Sequence, residues 1–547
     1  MTIRRLAAFA AAICITTSSA AIATAQEAER PNLLIILADD LGYSDIGAYG
    51  GEIPTPNIDA LAADGLMFTN FYTQASCAPT RSMLLSGTDN HLAGVGQQSP
   101  VPIHAPIRAG YEAKLNLRVA AMPELLQEGG YHTIMAGKWH LGHEPALQPQ
   151  SRGFDDAFYV LEGGSAHFKQ KQMAMLQGYG ATFLENGKPV ELPDDFFTTT
   201  YFTDYIIEKI GTGESDKPFF AYAAYTAPHW PIQAPDDYLE AQRGKYDEGY
   251  DVIANRRLDR QRELGLAPQS GEARRFVDGH KSWDGLNAEE KAVSARKMEA
   301  YAAMVAHLDH EIGRLIGHLK ATGKYDDTFV LFLSDNGAEG VARARPDWVA
   351  AQNFDNRLEN LGRANSFVEM GPEWAQVSST PFRSTKYTPF EGGNHVPAVI
   401  RYPDKVAAGR TDAMATIKDV LPTFLDLAGL QHPGIRFDNR DVFPMTGSSM
   451  MPLLTGQDDR IHDEDAVFGW ELNMFSSLRK GDWKLVFAKD VSDDFQLFDL
   501  ASPEGEWKDR MQEEPEKARD MMRLWKQFVT SHNVEVDDRL RPASARR

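Results

Sequence analysis

Two stretches constrain this chain more than any others. Leu33-Leu-Ile-Ile-Leu-Ala38 is apolar without a break, and Thr328-Phe-Val-Leu-Phe-Leu333 repeats the pattern. A strand with one face in water alternates polar and apolar side chains. An unbroken apolar run suits a strand covered on both faces, as in a mainly parallel α/β sheet. Each run stops at oxygen-bearing side chains: Asp39-Asp40-Leu41-Gly42 after the first, Ser334-Asp335-Asn336-Gly337 after the second. Ligand sites in open α/β sheets lie just beyond the carboxyl ends of strands. Adjacent carboxylates there repel unless a cation or basic group sits between them. A single Asp reads as a helix cap, and a single Asp-Asn-Gly as a turn. Two matched strand ends point instead to a metal. Carboxylate and amide oxygens from Asp39, Asp40, Asp335 and Asn336, without sulfur or imidazole, suit Ca²⁺ or Mg²⁺ better than zinc.

The remaining elements fit the same class. Met67–Tyr72, Tyr131–Met135, Lys217–Tyr225 and Val396–Tyr402 read as further strands. Asn57–Asp64 reads as a helix ended by Gly65, and Asp419–Ala428 as one ended by Gly429. Met298, Tyr301, Val305, Leu308, Ile312, Leu315 and Leu319 recur at steps of three and four, an amphipathic helix over Met298–Lys320. His307 and His310 lie off that stripe and are expected to be solvated. Ala338–Ser379 reads as a long irregular insertion of the kind that forms functional lids. From about residue 440 the texture changes to a hairpin around Gly481, a short strand at Gln496–Leu500 and a closing helix from Pro515 to Ser531. The expected fold is α/β, a large mixed, mainly parallel sheet flanked by helices, with a smaller C-terminal α+β subdomain. Residues 26–440 would form the catalytic domain, and 441–547 the subdomain with a small antiparallel sheet.

The N-terminus reads as an export signal. Arg4-Arg5 precede an apolar stretch from Leu6 to Ile15, too short to span a bilayer, and Ala23-Thr24-Ala25 fits a cleavage site, so 1–25 would be removed. Losing those two arginines takes the formal charge from −21 to −23. So acidic a surface argues against nucleic-acid binding. It also leaves a periplasmic or secreted chain with a single cysteine, Cys77, and hence no internal disulfide. Cys77 is then an inert buried thiol, a catalytic thiol, or a residue converted into something else. It opens Cys77-Ala-Pro-Thr-Arg81, followed by Met83-Leu84-Leu85, which places Cys77 and Arg81 at a helix N-terminus that favours anions.

Candidate acid–base and cationic groups lie at other strand ends. Lys138 and His140, two residues apart after a strand, would point to one side if the chain stays extended. His140-x-x-His143 could be a zinc pair, but no third nitrogen or sulfur ligand is near. His229 is fixed between Pro228 and Pro231 after another strand; alone it is as readily structural as catalytic. Lys386 alone reads as a solvated charge.

Taken together these motifs resemble the sulfatase family. Cys77-Ala-Pro-Thr-Arg81 with Leu85 and Gly87 is similar to its first motif, and Gly130-Tyr-x-Thr-x-x-x-Gly-Lys-Trp-His-Leu-Gly142 to its second. With both acidic strand ends, Pro228-His229-x-Pro231 and Lys386, the likeness spans nearly the whole mature chain and points to bacterial arylsulfatases of the Cys type. The resemblance implies that a formylglycine-generating or maturase enzyme oxidises Cys77 to Cα-formylglycine, whose hydrate carries two hydroxyls. It implies one Ca²⁺ per chain, held by Asp39, Asp40, Asp335, Asn336 and the modified residue 77. One hydroxyl would attack the sulfur of a sulfate ester with Asp335 assisting. Arg81, Lys138 and Lys386 would stabilise the modified residue and the sulfate oxygens, and His229 would stand near the leaving oxygen. His140 would take a proton from the second hydroxyl, expelling sulfate. One departure is His395 after Gly392-Gly393-Asn394, where many members carry arginine; it bears on substrate contact at the pocket rim.

Three rivals remain distinct. A phosphate or phosphonate monoester hydrolase of the same superfamily would share the metal site. A non-catalytic binder of sulfated ligands would keep Cys77 as a thiol. A thiol nucleophile paired with His140 or His229 would need no metal and would be killed by alkylation.

Overall fold

The computed structural model describes residues 30–98, 108–169, 181–212, 217–269, 273–274, 281–341 and 346–536. The leader and the basic tail from Arg539 lie outside the described residues. The central sheet is built from β1 (Asn32–Ala38), β2 (Leu66–Tyr72), β3 (His132–Lys138), β4 (Asp156–Val160), β5 (Phe183–Glu185), β6 (Lys188–Pro189), β7 (Phe219–Ala224), β8 (Thr328–Ser334), β9 (His395–Arg401), β10 (Gly409–Thr411) and β11 (Ala415–Thr416). Their order is β10-β2-β9-β8-β1-β7-β3-β4-β5-β6, with β11 also beside β2. From β8 to β4 every neighbour is parallel, while β9 runs antiparallel to β2 and β8 and β5 antiparallel to β4. The sheet is thus mixed and mainly parallel.

The unbroken apolar run of β1 has the expected cause. Leu33, Ile35 and Leu37 join one apolar cluster with Leu84, Leu85 and Phe424, whereas Leu34, Ile36 and Ala38 join another with Met304, Val305 and Leu308. Each fully buried Leu or Ile contributes about 1.5–3 kcal/mol, so burial on both faces holds the strand in the core. Register then sets the site. Ala38 pairs with Ser334, so the two acidic ends emerge side by side.

The helix at 298–320 is longer than its stripe, running Ala288–Ala321 from an Asn287 cap whose side chain accepts the N–H groups of Glu289 and Glu290. His310 is exposed, but His307 is buried, contrary to expectation. Its Nε2 faces Thr200 at 3.3 Å and Glu311 at 3.4 Å, and Tyr238 packs edge-on at 4.8 Å. The helix Thr198–Thr212 covers this flank, so the buried face is wider than the apolar stripe. The insertion at 338–379 is not wholly irregular either: it contains short helices at Pro346–Ala351 and Pro372–Ser378.

Beyond the main sheet, strands Val467–Leu472, Phe475–Lys480, Trp483–Phe487 and Gln496–Asp499 form an antiparallel sheet in that order. Met521, Trp525 and Phe528 of the Pro515–Ser531 helix pack on its Leu478, Leu485 and Leu497.

Candidate active site

Cys77 begins the helix Cys77–Ser86, after an extended Ser76, and is wholly buried. Its Sγ lies 3.7 Å from Asp40 Oδ1. One turn on, Arg81 aims back into the site. Its Nε and Nη2 donate to Asp335 Oδ2 at 3.1 and 2.9 Å, and its Nη1 donates to the Lys138 carbonyl at 3.0 Å. Lys138, at the end of β3, places Nζ 2.9 and 2.7 Å from the two oxygens of Asp39. Lys386 places Nζ 2.7 Å from Asp40 Oδ1, and Asn336 Nδ2 donates to that same oxygen at 2.7 Å. His229 Nε2 lies 3.6 Å from Asp40 Oδ2, its other ring nitrogen 2.6 Å from the Trp230 carbonyl. Lys386 thus belongs to the cluster and is not a solvated surface charge.

His140 reaches this cluster by another route than extended chain. Its φ is +59°, so the backbone turns after Lys138. The ring packs where Gly163 has no side chain: a Cβ there would lie 2.6 Å from His140 Cε1. His143 is exposed, which removes the zinc pair.

Electrostatics divide these groups by task. Burial would raise Asp40, but Lys386, His229 and Lys138 hold it well below the ordinary carboxylate range. Asp335 goes the other way: burial and the neighbouring Asp39 outweigh Arg81 and Lys138 and push it up to about 6. Burial raises the Cys77 thiol well above its usual value despite Lys138 and Lys386. Burial also lowers both histidines strongly. For His140 the charges of Lys138, Arg81, Lys386 and His229 add to it; for His229, Asp40 opposes it.

Asp39, Asp40, Cys77 and His229 each offer an atom within 4.8 Å of the others. Within and beside that group, the carboxylates of Asp39 and Asp40 and the amide oxygen of Asn336 are the donors that suit a hard cation. Asp40 Oδ2 and Asn336 Oδ1 are buried and have no hydrogen-bond partner. Leaving such oxygens unsatisfied costs about 1–3 kcal/mol each, and an oxygen-seeking cation would satisfy both. Asp335 is held in place beside them, its Oδ2 under Arg81 and its Oδ1 accepting the Asp40 N–H at 3.2 Å, with a second lone pair on each oxygen.

Comparison with known proteins gives the family. The Sulfatase family model matches residues 31–430. A second, for the C-terminal part of N-sulphoglucosamine sulphohydrolase, matches 385–533. An arylsulfatase of Klebsiella aerogenes is 37% identical over 457 residues, covering 82% of this chain and 96% of its own. The chain belongs to the sulfatase family. An uncharacterised sulfatase of Schizosaccharomyces pombe is 42% identical over 521 residues, covering 91% and 93%. Among solved structures, Ps i-CgsB in complex with k-i-k-neocarrahexaose superposes with a TM-score of 0.66 at 24% identity, covering 91% and 92%, and supports the fold. As a sulfatase the protein hydrolyses sulfate esters. Among its described residues no helix is long and apolar enough to cross a membrane.

In this sulfatase His395 does not stand at a pocket rim. It opens β9, buried, with Nδ1 2.9 Å from Glu391 Oε2 and Nε2 2.6 Å from the Thr69 carbonyl, its ring stacked on Phe382 at 4.3 Å. Three further participants carry little mark in the sequence. Tyr222 OH lies 3.4 Å from Arg81 Nη1, Ser334 Oγ accepts the Leu41 N–H at 3.0 Å, and Glu339 approaches Lys386 at 3.3 Å. Tyr222 leaves a trace as a hydroxyl inside an otherwise apolar strand, and Ser334 as the first oxygen-bearing residue after the second apolar run.

Proposed function

We propose that this sulfatase cleaves aryl sulfates, with residue 77 as formylglycine and Ca²⁺ as its metal. The observation that carries the reading is the convergence of Cys77, Asp39, Asp40 and Asn336 with the cations Arg81, Lys138 and Lys386 in one buried cluster. The aryl preference rests on the Klebsiella aerogenes arylsulfatase. A thiol is a poor nucleophile here, because burial raises Cys77 and keeps the thiolate scarce. Formylglycine at the same position, once hydrated, supplies an oxygen nucleophile. Asp39, Asp40, Asp335, Asn336 and residue 77 would hold Ca²⁺, which would supply Lewis-acid stabilisation of negative charge.

The chain's own groups do the rest. Arg81, Lys138 and Lys386 bind the sulfate oxygens and the charge that builds on them. Asp335, whose basicity burial and the neighbouring Asp39 raise, is suited to accept the proton that leaves the nucleophile at residue 77. The ring nitrogen His229 Nδ1 is tied to the Trp230 carbonyl, which leaves Nε2 to face the leaving oxygen. His140, kept neutral by burial and the neighbouring Lys138, Arg81 and Lys386, serves as the base that frees sulfate. Residues 26–440 and 441–547 are assigned as catalytic domain and C-terminal subdomain. Export through the 1–25 leader to the periplasm or medium, and modification by a maturase, complete the proposal.

Purified protein assayed on 4-nitrophenyl sulfate and 4-nitrophenyl phosphate tests the reaction; a preference for phosphate overturns it. Mass spectrometry of the peptide containing Cys77 tests the nucleophile. The expected mass is that of formylglycine, and an alkylatable cysteine in active enzyme overturns it.

A further inference from the structure

Lys484, on the C-terminal sheet, is wholly buried, far from any surface role for a lysine. Its Nζ lies 2.6 Å from Glu391 Oε1 and 2.9 Å from Glu506 Oε1. Glu391 is itself a hub. Its Oε2 accepts from Tyr72 OH at 2.5 Å and meets His395 Nδ1 at 2.9 Å, and its backbone N–H donates to Glu506 Oε2 at 2.8 Å. Arg479, from the same C-terminal sheet, donates to the Tyr72 hydroxyl. Glu391 stays ionised well below the ordinary range: Lys484, His395 and Arg479 overcome its burial.

The backbone on either side of Glu391 carries two arms of the active site. Gly337, next to Asn336, donates its N–H to the Gly393 carbonyl at 3.0 Å, and a Cβ on Gly337 would fall 1.9 Å from the Gly392 carbonyl oxygen. Gly392 donates to the Arg383 carbonyl at 2.9 Å, and Lys386 donates to the Ala338 carbonyl at 3.0 Å. Tyr387 donates to the Ala75 carbonyl at 2.8 Å, two residues before Cys77. The segments 336–338, 383–393 and 73–77 therefore form one interlocked block. The ion pair from Lys484 to Glu391 clamps that block to the C-terminal sheet.

We propose that Lys484 is a positioning residue for sulfate-ester hydrolysis: through Glu391 it fixes the placement of Lys386 and Asn336 in the active site. It touches neither substrate nor metal. Its effect is transmitted by close backbone contacts: a Cβ at 337 would fall 1.9 Å from the Gly392 carbonyl oxygen, and one at 392 would fall 2.0 Å from the Ser384 carbonyl oxygen. The inference rests on the assignment of Lys386 to sulfate binding.

The test is steady-state kinetics on 4-nitrophenyl sulfate with the full chain, normalised to the fraction of molecules carrying the modified residue 77. Lys484→Met keeps the length and apolar bulk but removes the charge. The expected result is a rise in KM of about five- to tenfold, as Lys386 loses its register with the sulfate, and substantial rescue by Lys484→Arg. A purely structural role would lower thermal stability and the active fraction but leave the KM of surviving molecules unchanged, and that result overturns the proposal. Should Lys484→Met not fold, Glu506→Gln weakens the clamp without removing the lysine; it is expected to raise KM about two- to threefold, and an unchanged KM again overturns the proposal. If the wild-type chain is inactive on sulfate esters, the functional reading fails instead, so the two failures are separable.

Discussion

Two of the buried charged clusters in this molecule are made of similar parts and put to opposite uses. One is the clamp of Asp89, His91 and Glu471. Both His91 ring nitrogens have carboxylate partners, Asp89 Oδ1 and Glu471 Oε2, each at 2.8 Å. Glu471 also accepts from Tyr111 OH at 2.7 Å and from the Met474 N–H at 2.5 Å. The other is the strand-end cluster around Cys77, where Asp40 Oδ2, Asn336 Oδ1 and His140 Nδ1 are buried without a partner. A satisfied network rigidifies; unsatisfied groups held in place are poised for something that arrives later. The first cluster welds the segment after the Cys77–Ser86 helix to the C-terminal sheet. The second leaves buried polar atoms open where the proposed metal and substrate would bind.

If that contrast holds, substitutions at the strand ends should separate activity from stability. Cys77→Ala is expected to lower sulfate-ester hydrolysis by at least about a thousandfold. Its unfolding midpoint in urea should stay close to wild type, because the nearest polar contact of the position 77 side chain, to Asp40 Oδ1, is long at 3.7 Å. A large loss of stability would mean that Cys77 is a packing residue after all. His140→Ala should cost activity about a hundredfold, the scale of a general base. Since its Nδ1 makes no hydrogen bond, the stability change should stay within about 1 kcal/mol.

The sequence is most legible where coverage and chemistry leave local marks. The double burial of β1 and β8 shows as unbroken apolar runs, and the acidic residues at their ends are adjacent in the chain. Cys77 and Arg81 are one helical turn apart, and that spacing is written in the motif. Contacts between distant segments leave no such mark. His307 reads as solvated because the helix that covers it comes from another part of the chain. Lys386 reads as a surface charge because Asp40, its partner, is 346 residues away. The hub of Glu391 and Lys484 spans 93 residues, and the clamp from His91 to Glu471 spans 380. In each case a single charged residue carries no sign of the partner that tertiary folding supplies. His140 shows a subtler limit. Extended geometry alone would put it beside Lys138, yet the positive φ and the space at Gly163 deliver it there.

The clamp should behave in the opposite way to the active site. His91→Gln leaves Asp89 and Glu471 buried without their shared cation, which is expected to cost about 3 kcal/mol of stability. Activity per folded molecule should remain within about twofold of wild type. Strong loss of turnover in well-folded His91→Gln protein would show that the clamp serves catalysis and would break the contrast.

The smallest expected effect is the pH dependence of that clamp. Burial acts to lower His91, but Asp89 and Glu471 overcome it and raise the imidazole to about 9 from 6.5. Because the folded value lies above the unfolded one, folding takes up a proton near neutral pH. The stabilisation is fully present below about pH 6.5 and fades as pH rises through 9. Between pH 7 and pH 9 the loss attributable to this one group is about 2 kcal/mol. The observable is the difference in unfolding free energy between wild type and His91→Gln, measured across that range, so that titrations common to both proteins cancel. The gap should narrow steadily towards alkaline pH. A constant gap would mean that His91 is held neutral between its carboxylates, and the two clusters would then differ in completeness but not in charge.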